Sequence, residues 1–348
     1  MKTYKDKIYD YLLLEPNLSA EELSQKGDIG DRTYVSKLLA SLLEEGKIAQ
    51  SRSGRNVTYS VIDKKIALEE NLKLKGLHED EIWKTVQKTT DFLDSLSENA
   101  TNILYFGFTE MLNNAIDHSH SVSGYVKIWQ ESDSLKFIVK DNGIGIFRNV
   151  MSKRRLPSEA DAARELIKGK LTTAPRWHSG EGIFWTSKSA DKFVLKSYNL
   201  ELSLNNTLDD YSIRELKDEE QLFGTEVYFE ISKSTKKSLQ KLFRDFSFDH
   251  KTLSLDTTVI PIKLFNEGEI WISRSQAKKV LAGLEKYKKV IFDFAGIDVI
   301  GQAFADEIFR VFNISHPEIK LEPINMSSSV NLMVSHALSD QTGRTSAN

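Results

Sequence analysis

The sequence predicts a multidomain α/β protein, and three observations predict it. The opening residues carry three short runs with helical apolar spacing, followed by two short strand-like runs. A central stretch, residues 108–191, joins a long helical pattern to a strand-like run and two glycine-punctuated segments. From about residue 246, strand-like and helix-like runs alternate, the pattern of a small layered α/β unit. With 348 residues the chain has room for two or three units with real cores.

Composition narrows the class further. Apolar residues make up 40% and charged residues 28%, as in ordinary globular chains. The net charge of −3 exerts no global pull on nucleic acid, so any such contact needs a local patch. Cysteine is absent, which excludes disulfides and thiolate metal sites. No apolar run approaches membrane-spanning length and the N-terminus is charged, so a cytoplasmic location and no membrane partner are expected.

Residues 1–62 read as one compact unit. Ile8, Tyr11, Leu12 and Leu13 form a helical apolar face, and Pro16 ends that helix. Ser19 before Ala20-Glu21-Glu22 is an N-cap with an acidic first turn. Asp31 caps a third helix, with Tyr34, Val35, Leu38, Leu39 and Leu42 at helical spacing and Gly46 as the stop. Residues 47–50 and 56–61 read as strands around a basic turn. This order resembles a winged helix–turn–helix domain. The resemblance implies a double-stranded DNA partner, with Arg32, Thr33, Ser36 and Lys37 led into the major groove. Arg52 and Arg55 on the wing would then meet phosphates or the minor groove. The same fold also serves protein contact, the alternative at this point.

Residues 63–245 form the second expected unit. Residues 63–100 are charged and helix-prone, with one readable helix over 79–97. His78 is read as a surface histidine at that helix start, not as a phosphoacceptor. In the next helix Phe108, Met111, Leu112 and Ala115 share one face, while Glu110, Asn114 and Asp117 line the opposite stripe. The amide oxygen of Asn114 suits a magnesium ion that keeps waters and takes phosphate oxygens. Glu110, one turn away, can orient or deprotonate a water aimed at a terminal phosphate. A plain amphipathic helix would carry the same apolar face.

Residues 135–140 read as a strand that ends on Asp141, and Gly143 and Gly145 punctuate the turn that follows. A carboxylate there can accept from the exocyclic amine of adenine, while the glycines let the backbone come close to a base. Asn142-Gly143 alone would equally suit a hairpin. Gly180-Glu181-Gly182 then opens a helix and offers unpaired main-chain N–H groups to phosphate. The basic residues before it, Lys153, Arg154, Arg155, Arg164, Lys168, Lys170 and Arg176, suggest a lid over a nucleotide.

Taken together these pieces resemble the Bergerat-fold, GHKL-type ATP-binding domain of type II gyrases, heat-shock chaperones of the ninety-kilodalton class, histidine kinases and MutL. Glu110 and Asn114 match its N box, Asp141, Gly143 and Gly145 its first glycine box, and Gly180 and Gly182 its second. Gly224-Thr225 resembles the Gly-Thr that closes the site. The resemblance implies an α/β sandwich that binds ATP and magnesium, with Asp117, Lys170 and Thr225 among the nucleotide contacts. The second glycine box, running into Ile183-Phe184, resembles the serine kinases that inhibit sigma factors more than it does the gyrases. A kinase acting on a separate partner is therefore the alternative to a slow ATPase.

In residues 246–338, strands are expected over 258–264, 269–272, 290–294 and 319–321, with helices over 273–285, 301–312 and 330–338. Phe292-Asp293-Phe294-Ala295-Gly296-Ile297 resembles the strand-to-loop segment of a STAS-like domain, the fold of anti-sigma-factor antagonists. Where those antagonists carry a phosphorylatable serine, this chain has Gly301-Gln302-Ala303. A docking or reporting role toward the ATP site, or toward a protein partner, is expected instead. Residues 339–348 read as a disordered tail. The combined expectation is an ATP- and magnesium-binding, DNA-binding regulator, with homodimer formation left open.

Overall fold

The computed structural model describes residues 3–26, 29–54, 56–61, 64–169, 181–247, 255–265 and 271–342. The chain divides into two compact units. The first holds residues up to Lys65 together with Gln130–Asp133, and the second holds the rest.

In the first unit, α1 (Tyr4–Leu14), α2 (Ala20–Gln25) and α3 (Arg32–Glu44) enclose a core that includes Ile8, Leu12, Leu23, Val35, Leu39 and Leu42. An antiparallel hairpin of β1 (Ile48–Ser53) and β2 (Asn56–Val61) follows, and Leu18 adds a bridge to Tyr59. Side-chain caps set all three helix starts. Thr3, Ser19 and Asp31 each accept an amide from three residues on, and Asp6 and Glu22 return the bond at the first two. Gly46 takes φ +63 and ends α3, as its position in the sequence predicts.

The second unit is built on a seven-stranded sheet. In chain order it runs β3 (Lys64–Lys73), α4 (Glu79–Thr89), α5 (Glu98–His118), β4 (Ser123–Glu131), β5 (Ser134–Asp141), α6 (Ile146–Arg154) and α7 (Glu159–Lys168). It continues with α8 (Gly182–Ser189), β6 (Lys192–Ser197), β7 (Leu200–Asn205), β8 (Asp210–Glu215), β9 (Thr225–Ser232) and α9 (Leu239–Asp245). The strand order is β3-β4-β5-β9-β6-β7-β8, and the pairs from β5 to β8 are antiparallel. Alternate residues of β5 turn Leu135, Phe137 and Val139 into the core. There Phe137 stacks on Phe229 with ring centroids 4.7 Å apart, and Phe108 of α5 meets it edge-on at 5.7 Å.

Two elements differ from expectation. Residues 64–73 are a strand, although Ala, Leu, Glu and Lys there favour helix. They form the edge of the sheet, where Ala67 and Leu72 are buried while Glu69 meets Lys127 and Tyr125 of β4. Burial against the sheet overrides propensity, and the charged residues suit an open edge. The helix expected over 79–97 stops at Thr89, where the chain turns extended at Thr90 before a short 3-10 turn at Phe92–Ser95.

The C-terminal part is a three-stranded parallel sheet of order β10-β11-β12, formed by β10 (Thr257–Pro261), β11 (Lys289–Asp293) and β12 (Lys320–Ile324). Its helices are α10 (Arg274–Leu281), α11 (Gln302–Asp306), α12 (Asn313–Ser315) and α13 (Ser328–Thr342). A π-helical stretch at Glu307–Phe312 joins α11 to α12. The strand expected over 258–264 gives way after Pro261 to a 3-10 turn at Ile262–Phe265. The strand expected over 269–272 falls largely outside the described residues, though Trp271 bridges Ile300. The first residues of the disordered tail expected from 339 are helical, since α13 continues to Thr342, and residues 343–348 lie outside the described ones.

The sequence suggested a third unit from about residue 246 that docks against or reports on the second. One hydrophobic core runs through the seven-stranded sheet and the C-terminal part, from Phe108 and Phe184 to Phe292 and Phe309. Among the described residues no helix is long and apolar enough to cross a membrane.

Candidate functional site

Helix α5 is the axis of the site. Ser97 caps its start, and the face carrying Phe108, Met111, Leu112 and Ala115 is buried as the spacing predicts. Glu110 and Asn114 are half-buried on another face, and Asp117 is exposed. The Asn114 amide has one atom, assigned as Nδ2, that is buried without a partner. Buried amides are normally satisfied, and an amide trades O for N by turning about its last torsion. This side chain therefore has unused capacity for a ligand.

Two glycine segments touch α5 on either side of Asn114. Gly182 opens α8 directly against Glu110, so that a Cβ there would lie 2.1 Å from Glu110 Oε2. At the far end a Cβ on Gly143 would lie 1.9 Å from the Ser119 carbonyl oxygen. The Ile144 amide donates to that same oxygen at 2.9 Å. Nine residues at helical rise separate the two contacts by roughly 13 Å along the axis.

Asp141 ends β5 and is only 5% exposed. It accepts the Gly143 amide at 2.8 Å and further hydrogen bonds from Thr225. Burial pushes its acid up to about 6, and the bonds from Gly143 and Thr225 oppose that rise. The Thr225 hydroxyl accepts the Ile146 amide at 3.1 Å where Gly145 (φ +78) starts α6. Gly224, at φ +82, packs its α-carbon against the Asp141 carbonyl, where a Cβ would sit 2.2 Å from the oxygen.

Asp141, Gly143, Gly145 and Thr225 thus form one cluster, Glu110 and Gly182 a second, and α5 connects them. Lys170 and Gly180 lie outside the described residues, as do Arg176 and His178. Among the described residues no three acidic or histidine side chains converge as a metal site. A cation at Asn114 would draw its other ligands from water and phosphate.

The expected basic lid needs correction. Arg164 and Lys168 on α7 are buried and bond to main-chain carbonyls of the C-terminal part. Arg164 Nε donates to the Leu264 carbonyl at 2.8 Å, and Lys168 Nζ donates to the Ala282 carbonyl at 2.8 Å. Thr258 and Tyr287 in turn donate their hydroxyls to the Lys168 carbonyl. Lys168 also pairs with Glu165, which offsets the burial that lowers its pKa. Composition shows a basic run; only packing tells which of its members face a partner domain.

Sequence reading also missed Tyr198, which sits between β6 and β7 and donates its hydroxyl to the Gly143 carbonyl at 3.1 Å. The available signal was a large aromatic in a two-residue turn, a place glycine or asparagine usually fills.

In the first unit Arg32, Thr33, Ser36 and Lys37 are all exposed on α3, and Arg52 is exposed on β1. Arg55 lies outside the described residues. Arg32 lies 3.6 Å from Glu21, and the Ser36 hydroxyl donates to the Arg32 carbonyl.

Comparison with known proteins identifies the C-terminal part. Residues 276–331 match a family model described as a STAS-like domain of unknown function (DUF4325). The match runs from within α10 to the first turn of α13, and this region of the chain is STAS-like. No curated protein matches the chain.

Proposed function

We propose that the second unit carries a Bergerat-fold ATP–magnesium site, and that the protein is a DNA-binding regulator answering to it. The observation that carries this reading is the arrangement along α5. Gly182 lies on Glu110, Gly143 lies on Ser119, and the amide of Asn114, its Nδ2 buried without a partner, falls between them. In this reading Asn114 offers its amide oxygen to magnesium, whose other ligands are water and nucleotide oxygens. Glu110 orients a water, the Gly182 end of α8 faces phosphate, and Asp117 lies at the outer edge. Asp141, ionised at neutral pH although its acid is pushed up to about 6, accepts the adenine amine. Thr225 supports it, and Gly143 and Gly145 leave room for the base. Lys170 and Gly180 join the phosphate contacts by sequence alone.

The first unit acts as a winged helix–turn–helix that docks α3 on duplex DNA, with the exposed Arg32, Thr33, Ser36 and Lys37 supporting this assignment. Arg52 and Arg55 serve the backbone. The protein acts in the cytoplasm, and a protein partner on the STAS-like part completes the reading.

Calorimetric titration with ATP and magnesium tests the core claim. Wild-type protein binds, and Asn114→Ala weakens binding at least tenfold when magnesium is present. A flat wild-type titration sinks the reading. Fluorescence anisotropy with duplex DNA tests the other half: Lys37→Ala weakens binding across sequences and lowers the salt slope by about one. Following labelled phosphate separates release from transfer, and transfer to a partner's Ser or Thr would make the protein a kinase instead.

A further inference from the structure

Tyr198 occupies a backbone position that costs it free energy. It is the first of two residues linking β6 to β7 and takes φ +53, a conformation that glycine fills most easily. A side chain that large in such a place calls for a compensating contact, and the fold supplies one. The hydroxyl donates to the Gly143 carbonyl at 3.1 Å, and the ring lies against the Gly145 α-carbon, where an added Cβ would meet ring carbons at 2.6 and 2.7 Å. The same turn presents the amide that Asp141 accepts. Tyr198 therefore bears on where Gly143 and Gly145 lie.

The ring has a second partner. The guanidinium carbon of Arg148, on α6, lies 3.4 Å from the ring centroid, a close cation–π stack. Arg148 Nε then donates to Glu159 Oε1 at 2.9 Å. Glu159 is the first residue of α7, and its second carboxylate oxygen is buried without a partner. At the opposite end of α7, Arg164 and Lys168 bond to Leu264, Ala282, Thr258 and Tyr287 of the STAS-like side. One continuous set of contacts thus leads from the Gly143 turn to the C-terminal sheet.

We propose that Tyr198 is a positioning residue for the base-binding turn, and that Arg148 and Glu159 couple that turn to the seat of α7 on the STAS-like region. This rests on the nucleotide reading given above and adds a regulatory route to it. Coupling of this kind is reciprocal: occupancy of the base site steadies β10, and a change at the seat of α7 alters affinity for the base. Phosphate recognition lies outside the route.

The full chain tests it with magnesium and two ligands, ATP and inorganic tripolyphosphate, by calorimetry. In Tyr198→Phe, which keeps the ring and loses one hydrogen bond, ATP affinity falls about fivefold and tripolyphosphate affinity is unchanged. Equal losses for ATP and tripolyphosphate would mean a merely structural role and overturn the proposal. Hydrogen exchange reads the coupling. In wild type, ATP slows exchange at Asp141–Ile146, along α7 and at β10. In Arg148→Ala the slowing persists at Asp141–Ile146 and disappears from β10. Unchanged protection of β10 in Arg148→Ala overturns the route, even where ATP binds normally. A wild type that binds tripolyphosphate but not ATP, or neither ligand, fails the underlying nucleotide reading and this inference together.

Discussion

Two strand-end aspartates in this chain share one local design. Asp141 closes β5 and Asp293 closes β11, and both are at least nine-tenths buried. Each accepts the main-chain amide two residues on, Gly143 at 2.8 Å and Ala295 at 3.0 Å. What differs is the company brought by the fold. Asn325, held at φ +53 just beyond β12, donates its side-chain amide to Asp293 at 2.9 Å. Asp141 receives its remaining bonds from Thr225, and burial still drives its acid up to about 6. An Asp–turn motif therefore does not by itself make a site. The side-chain donor of Asp293 is an amide from beyond β12, whereas that of Asp141 is the Thr225 hydroxyl, which also accepts the Ile146 amide and so ties the carboxyl to the glycine turn.

The largest expected effect lies in exchanging the two roles. Asp141→Ala lowers ATP affinity more than a hundredfold by calorimetry, whereas Asp293→Ala leaves it unchanged and lowers Tm. Equal loss of ATP binding in both variants would erase the distinction. The glycines beside them sharpen it next. A methyl on Gly143 meets the Ser119 main chain, which cannot swing away, so Gly143→Ala costs about 3 kcal/mol in denaturant unfolding. Gly296 has φ +76 and open space around it, so Gly296→Ala costs only the backbone strain, about 1 kcal/mol.

Acidity offers a third test. The folded-state acid of Asp141 lies above its ordinary value of 3.8, so protonation favours the fold. Its contribution is fully present below about pH 4 and is lost as pH rises through about 6, by at most about 3 kcal/mol. Asp141→Asn avoids that loss. Its Tm should match or exceed that of wild type at pH 7.5, with the gap closing toward pH 4, and ATP affinity of wild type should weaken below about pH 6. The smallest effect belongs to Gly182→Ala. Its methyl meets only the end of the flexible Glu110 side chain, so unfolding shifts by less than about 1 kcal/mol, while phosphate release slows because Glu110 is displaced.

Much of this was legible because it is local. The caps at Ser19 and Asp31, the stop at Gly46, the buried face of α5 and the placement of Asp141 at a strand end all follow from near neighbours along the chain. The strand at 64–73 was not legible, since nothing in a helix-prone run announces the sheet edge it completes. Nor was the turn at Tyr198, whose role rests on a carbonyl fifty-five residues away.

The sequence by itself determined the helix starts, the strand ends and the residue types able to meet a nucleotide, because hydrogen bonds three or four residues apart and a period of 2 or 3.6 need no tertiary partner. Only the tertiary structure decided that Arg164 and Lys168 bond to the C-terminal part, that Gly182 rests on Glu110, and that Asn325 donates to Asp293 while Thr225 serves Asp141. Those outcomes depend on desolvation and on contacts between residues far apart in the chain, which no local pattern encodes.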